Sequence, residues 1–323
     1  MSIADIFNKN RTVYSFEVFP PKRTSPIETI IETLDALKGL NPDFISVTYG
    51  AGGNPADRST CEIASIIKNK YNIEPVAHLT CVQNSRSDIL AILDDFREKK
   101  IENIMALRGD IIPGRSPKTD FKYASDLVEF IRKQGGFHIS GACYPEGHVE
   151  SKDLIDDIHN LKKKVDAGAQ HLVSQLFFDN SAFYSFLERA RIAGINVPIE
   201  AGIMPVLNKK QIERMVSMTA ASLPAKFTKM ISKYEHHPEA LRDAGIAYAV
   251  DQIVDLISNG VDGIHLYTMN NPLVARRITE CISSLTKVTH KCCSPILSQQ
   301  RDSGHDSGAG FLAGTERSGG SRS

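Results

Sequence analysis

Eight short apolar runs, at residues 12–17, 43–48, 74–78, 103–107, 137–144, 171–175, 197–201 and 262–267, recur along this chain, with helix-like segments between them. Most begin about 30 residues after the one before, the length of a strand–helix unit. The last interval, from 197 to 262, is about twice as long and holds helical patterns near 209–221, 225–234 and 238–258. Eight such units predict an α/β fold, a (β/α)8 TIM barrel with extra helices before the last strand. A barrel of that kind carries its chemistry at the strand C-termini. Here those ends carry Glu17, Thr48, His78, Arg108-Gly109-Asp110, Tyr144, Gln175 and Tyr267.

The helical segments supply the outer layer. Ser25-Pro26-Ile27-Glu28 reads as a helix start, with a capping Ser, a Pro at the first helical position and a Glu three residues after the cap. Ile27, Ile30, Ile31, Leu34 and Leu37 then form one apolar face. Ser151 is expected to cap a helix whose face is Leu154, Ile158, Leu161 and Val165 and which stops at Gly168. Further helices are expected at 181–193 and 273–285. From about 289 the pattern lapses into Gly- and Ser-rich sequence, so residues 1–288 are expected to form the barrel and 289–323 a disordered tail.

Charge and cysteine usage narrow the function. The 38 basic and 38 acidic residues cancel, which argues against a dedicated nucleic-acid binder. No apolar run reaches the ~18 residues of a membrane span, and Met1-Ser2-Ile3-Ala4-Asp5 lacks the features of a signal peptide; the expected location is the cytoplasm. The six cysteines form no CxxC pair, and no His pair has metal-ligand spacing, so no metal site is expected.

Each strand end admits two readings. Glu17, between Phe16 and Val18, is either a partly desolvated general acid or an ion-paired residue of the barrel mouth. Arg108-Gly109-Asp110 suits phosphate and the N–H groups of a heterocycle, or forms a structural salt bridge. Thr48-Tyr49-Gly50-Ala51-Gly52-Gly53-Asn54 fails the G-x-G-x-x-G pattern and is a substrate-facing loop or a plain turn. His78 packs on a planar ring or phosphate, or is structural. Tyr144, in Tyr144-Pro145-Glu146-Gly147-His148, could stack on an aromatic cofactor. Asp157, Asn160 and Lys164 share a helix face that suits ribose and phosphate, or is simply solvated. Gln175 offers both a donor and an acceptor. P-loop, HExxH, nucleophile-elbow and Schiff-base signatures are absent.

Eight segments in order then resemble the methylenetetrahydrofolate reductase family. They are Ser15-Phe16-Glu17-Val18-Phe19-Pro20-Pro21, Ser46-Val47-Thr48-Tyr49-Gly50-Ala51, His78-Leu79-Thr80-Cys81, Ala106-Leu107-Arg108-Gly109-Asp110, Tyr123-Ala124-Ser125-Asp126-Leu127, Lys164-Val165-Asp166-Ala167-Gly168-Ala169, Gln175-Leu176-Phe177-Phe178-Asp179 and His265-Leu266-Tyr267-Thr268-Met269-Asn270.

The resemblance implies a flavoprotein barrel that reduces 5,10-methylenetetrahydrofolate to 5-methyltetrahydrofolate by ping-pong hydride transfer from NADH or NADPH through bound FAD, in one-carbon and methionine metabolism. It implies that Glu17 is the acid that helps open the folate's five-membered ring, and that Asp110 contacts the pterin and tunes the flavin. It implies folate contacts from Gln175 and Tyr267, and places the segment 269–271 near substrate or donor. For FAD it points to Thr48, His78, Arg108, Gly109 and Asp110, and to Tyr144, His148, Asp157, Asn160 and Lys164. It also implies a homo-oligomer, with a partner-protein electron donor as one option. Asn270-Asn271 replaces the Asn-Arg of some members. The regulatory C-terminal domain of animal members is missing, so inhibition by S-adenosylmethionine is not expected. Two alternatives stand beside this reading: an idle barrel subunit that docks a partner reductase, and a pterin-handling methyltransferase-type barrel.

Overall fold

A computed structural model describes residues 2–21, 27–49, 58–111, 114, 116–219 and 221–289. Its strands are β1 (Val13–Val18), β2 (Phe44–Val47), β3 (Glu74–Thr80), β4 (Asn103–Leu107), β5 (His138–Cys143), β6 (His171–Ser174), β7 (Ile199–Ile203) and β8 (Gly263–Tyr267). They pair in parallel in chain order, and β8 closes on β1. Register fixes the mouth: Glu17 lies opposite Ser46 on one side and Tyr267 on the other.

Helices α1 (Ala4–Phe7), α2 (Glu28–Leu37), α3 (Ser59–Tyr71), α4 (Arg86–Glu98), α5 (Ala124–Gln134), α6 (Leu154–Ala167) and α7 (Asn180–Ile192) precede the long insertion. That insertion contains α8 (Lys209–Met218), α9 (Ala225–Tyr234) and α10 (Pro238–Ser258), and α11 (Pro272–Ile282) follows β8. The closed parallel barrel and the added helices before β8 bear out the expected fold.

Period-two alternation sorts the strand residues between two compartments. Tyr14, Phe16 and Val18 of β1 join the core beneath the helices, with Ile30, Leu34 and Leu37 of α2. Val13, Ser15 and Glu17 take the opposite parity. Val13 packs in the barrel floor with Phe44, Val76, Met105 and Val173, and Ile3 and Ile6 cover it from below. The Ile3 amide donates to Asn103 Oδ1 at 3.1 Å, which anchors that cover. Burying each such Ile or Phe contributes about 1.5–3 kcal/mol before entropy is charged against it. The inserted helices form their own cluster, in which Phe178 stacks on Phe227 at 4.3 Å.

One expected cap lies outside the described residues and another comes out differently. Ser25 and Pro26 lie outside the described residues, and α2 is described from Glu28. The cap of α6 is Asp153, not Ser151: its Oδ1 accepts from the Ile155 and Asp156 amides at 3.0 and 2.8 Å. Asp153 is the extended residue immediately before the first turn. Ser151 is too far upstream and instead donates to Asp157 at 2.8 Å.

Candidate active site

The strand tips carry a cluster built around Glu17. Glu17 is 7% exposed, with Oε2 lying 3.6 Å from His78 Nε2 and 3.5 Å from His265 Nε2. Both distances exceed an ordinary hydrogen bond by a few tenths of an ångström. Strand parity puts the three side chains in the lumen: Glu17 follows Ser15 by two residues, and Tyr267 follows His265 by two. The Glu17 carbonyl accepts from Thr268 Oγ1 at 2.6 Å, which ties the end of β1 to the end of β8.

His78 is fully enclosed, and burial pushes it down to about 4; the nearby Glu17 partly opposes this and His265 adds to it. A neutral imidazole follows at ordinary pH. Its Nε2 has no hydrogen-bond partner among the described residues, and neither has the buried Thr80 Oγ1 on the same strand. Two unsatisfied polar atoms in one lumen wall are costly unless something polar meets them.

Tyr267 donates to the Ser174 carbonyl at 2.8 Å and stands edge-on to His265 at 5.3 Å. Burial raises its phenol well above the usual range, and the Glu17 charge adds to the effect. Gln175 accepts from the Leu176 amide through Oε1 at 2.9 Å, and its NH2 makes no hydrogen bond among the described residues.

The end of β4 is shaped by Gly109, whose φ of +83° is in the left-handed region. A Cβ there would fall 2.9 Å from Thr80 Cβ. Arg108 does not pair with Asp110. Its two terminal nitrogens grip Glu150 at 2.5 and 2.8 Å, a bidentate fork. Asp110 is exposed and makes no hydrogen bond or ion pair among the described residues. Thr48 is partly buried; its amide donates to Val18, and its carbonyl accepts from Thr60 Oγ1. Of the loop after β2, residues 50–54 lie outside the described residues.

The loop after β5 and helix α6 form one wall. The Tyr144 ring meets His148 edge-on at 4.7 Å. Burial, with Asp157 nearby, raises the Tyr144 phenol to about 12. The buried Asp157 accepts from the His148 amide at 3.1 Å and from Ser151. Lys164 reaches under the strand to donate to the Ala142 carbonyl at 2.5 Å, and burial lowers its ammonium below the ordinary lysine range. Asn160 is exposed and is engaged by Asp156 and Lys163, so the face proposed for the trio is buried at Asp157, half-buried at Lys164 and solvated at Asn160. At 269–271, Asn270 clasps the Phe19 backbone in both directions, at 2.9 and 2.8 Å. Asn271 caps α11 through the Val274 amide.

Sequence reasoning assigned no role to the polar layer below Glu17. Ser15, His265, Glu200, His171 and His138 are all buried inside the barrel. A parity argument could have found them. Ser15 and Glu17 share a face of β1, His265 and Tyr267 share one of β8, and Glu200 is the one charge in an apolar strand.

The sequence model of the family described as "Methylenetetrahydrofolate reductase" matches residues 2–283. The chain is 40% identical over 269 residues to the 5,10-methylenetetrahydrofolate reductase of Pectobacterium carotovorum subsp. carotovorum, covering 83% of this chain and 89% of that one. It is 38% identical over 283 residues to the methylenetetrahydrofolate reductase (NADH) 1 of Arabidopsis thaliana, covering 83% of this chain and 48% of the longer plant protein. In fold it resembles a Clostridium thermocellum protein described as binding two copies of 5-methyl-5,6,7,8-tetrahydrofolic acid, at a TM-score of 0.60 and 14% identity over 88% of this chain and 99% of that one. By its sequence, over nearly the whole barrel, the chain belongs to the methylenetetrahydrofolate reductase family of oxidoreductases.

Proposed function

We propose that this protein reduces 5,10-methylenetetrahydrofolate to 5-methyltetrahydrofolate, with FAD as the resident cofactor and NADH or NADPH as the reductant. The observation that carries the reading is the buried Glu17 carboxylate at the lumen mouth, flanked by His78 and His265. The residues present fit a flavin dinucleotide. His78 Nε2 and Thr80 Oγ1 are buried without partners. Gly109 lets the β4 turn take its left-handed form hard against Thr80 and Val82, which sets Arg108 and Asp110 at the mouth. Lys164, Arg108 and the Asp157–His148 pair would hold the phosphates and ribose, and Tyr144 would pack on a ring. When bound, FAD would supply a hydride carrier, accepting from NADH or NADPH and giving to the folate.

The chain's own residues handle protons and orientation. Glu17 protonates the bridging nitrogen of the folate's five-membered ring, and the C–N bond to the methylene carbon breaks to leave an iminium cation. The resulting carboxylate then stabilises that positive charge in a water-poor site. Asp110 accepts from the pterin's N–H groups, and Gln175 offers its free NH2 to the same ring. Tyr267, anchored on Ser174, forms a rigid wall beside them.

The test is direct. The purified protein incubated with FAD should turn yellow, bleach with NADH or NADPH, and recolour when the folate is added. A protein that takes up no flavin, or that reoxidises equally fast without the folate, overturns the reading.

A further inference from the structure

Below Glu17, a line of polar contacts descends into the barrel. Ser15 Oγ lies 2.8 Å from Glu200 Oε1 and 2.7 Å from His265 Nδ1. The second Glu200 oxygen lies 2.9 Å from His171 Nε2. Both carboxylate oxygens are therefore engaged, in a side chain with no solvent exposure. Gly263, beside it on β8, reserves the room: a Cβ there would fall 2.7 Å from Glu200 Cγ and 3.0 Å from Oε1.

Hydrogen-bond valence fixes the direction of this line. Ser15 donates its single O–H to Glu200 Oε1. The Ser15 oxygen is then left to accept from His265, which places the imidazole hydrogen on Nδ1. The opposite nitrogen, Nε2, carries a lone pair and faces Glu17 Oε2 at 3.5 Å. A lone pair there attracts the O–H of a carboxylic acid and repels a carboxylate, and this is the protonation state a proton donor needs at the start of its step.

Resting on the folate-reductase reading above, we propose that Glu200 is a positioning residue for the proton donor: acting through Ser15, it locks His265 in the Nδ1–H tautomer and so keeps the proton on Glu17. The third member of a catalytic triad fixes a tautomer in the same way, with the roles here turned toward holding an acid.

The groups that face this line are few. From β2, Ser46 Oγ reaches His265 Nε2 at 3.4 Å, and Phe44 stacks on the His265 ring at 6.3 Å. From β3, His78 is held neutral by burial and brings no positive charge to Glu17. From β8, Tyr267 stands edge-on to His265, and its phenol stays protonated. At the floor, His138 of β5 stacks on His171 of β6. Among the described residues, no lysine or arginine is bonded to Glu200 or His265.

The experiment compares Ser15→Ala, Glu200→Leu and Glu200→Gln, measuring each half-reaction against pH in the flavin-loaded enzyme. Ser15→Ala and Glu200→Leu remove the lock. The alkaline limb of the folate half-reaction should move down by about one pH unit, a tenfold loss at a fixed pH on that limb. Reduction of the flavin by NADH or NADPH should not follow it. Glu200→Gln keeps an acceptor for Ser15 and should restore most of the wild-type profile.

The second readout needs no activity. In protein labelled with 15N-histidine, the His265 resonances, assigned by their loss in His265→Gln, should report a hydrogen on Nδ1 and a bare Nε2, and Ser15→Ala should abolish that preference. Unshifted pH profiles in Ser15→Ala, or an Nε2–H tautomer in the wild type, overturn the proposal. A wild type that binds flavin but never reduces the folate overturns the proposed function instead, and the NMR result still decides the lock.

Discussion

The floor histidine His138 offers a quantitative test of the barrel interior. It is buried, with Nε2 unpartnered among the described residues and its ring 5.7 Å from that of His171. Burial pushes it down to about 3, and the neighbouring His171 adds to the effect. The folded protein therefore holds His138 neutral at pH 5.5, whereas an unfolded histidine, near 6.5, is ~90% protonated there. Unfolding takes up ~0.9 proton at this residue, so stability falls with falling pH by ~1.2 kcal/mol per pH unit. The contribution is present in full above about 6.5, declines as pH drops below that value, and stops declining only near 3. From pH 7 to pH 5 the loss from this site integrates to about 2 kcal/mol, and His78, at about 4, adds a similar amount. Together these losses are a large share of a typical stability of 5–15 kcal/mol. His138→Phe keeps an aromatic ring against His171 and removes the titration. Urea unfolding at pH 7, 6 and 5, with proton uptake measured calorimetrically in buffers of different ionisation enthalpy, gives both quantities. The variant should lose about 2 kcal/mol less than wild type over that range and take up ~0.9 proton fewer at pH 5.5. Equal uptake by the two proteins would refute the claim that His138 is buried as the neutral form.

Three further predictions concern the mouth. Glu17→Gln should slow the folate half-reaction by about 10²–10⁴-fold, the usual worth of a positioned general acid, and slow flavin reduction far less; equal losses in stopped-flow would remove Glu17 from its role. Gly109→Ala forces a left-handed φ on a residue with a Cβ at about 1–2 kcal/mol and pushes on Thr80, so flavin affinity by fluorescence titration should fall about tenfold. Lys164→Met keeps the buried stem and removes a poorly solvated cation. The apoprotein should be no less stable in a thermal melt, while FAD binding should lose about 1.5–3 kcal/mol if the ammonium meets a phosphate.

The architecture was readable because it is written as period. The alternation that makes β1 bury Tyr14, Phe16 and Val18 on one side and Ser15 and Glu17 on the other is a property of the one-dimensional string. Helix stops such as Gly168 depend on one residue's backbone freedom and are equally local. The cap of α6 was misread because Ser151 and Asp153 are both good cap residues. The choice turned on where the first turn begins: Asp153 immediately precedes Leu154, and Ser151, further upstream, pairs with Asp157 instead. The fork between Arg108 and Glu150 spans 42 residues, and Arg108 has an acidic neighbour two places on that looks the better partner. The contact of Glu200 with Ser15 joins residues 185 apart. Pairings of that kind follow from barrel closure, which a strand-by-strand reading does not contain.

The crowding between Glu200 and Gly263 carries an evolutionary consequence. A lineage that shrinks the acidic residue at 200 gains a void next to 263 and a histidine at 171 with no counterpart, while a lineage that enlarges 263 evicts the acid. Substitutions at 200, 171 and 263 should therefore arrive as a set, and related sequences should trade bulk between 200 and 263 rather than drift at either alone.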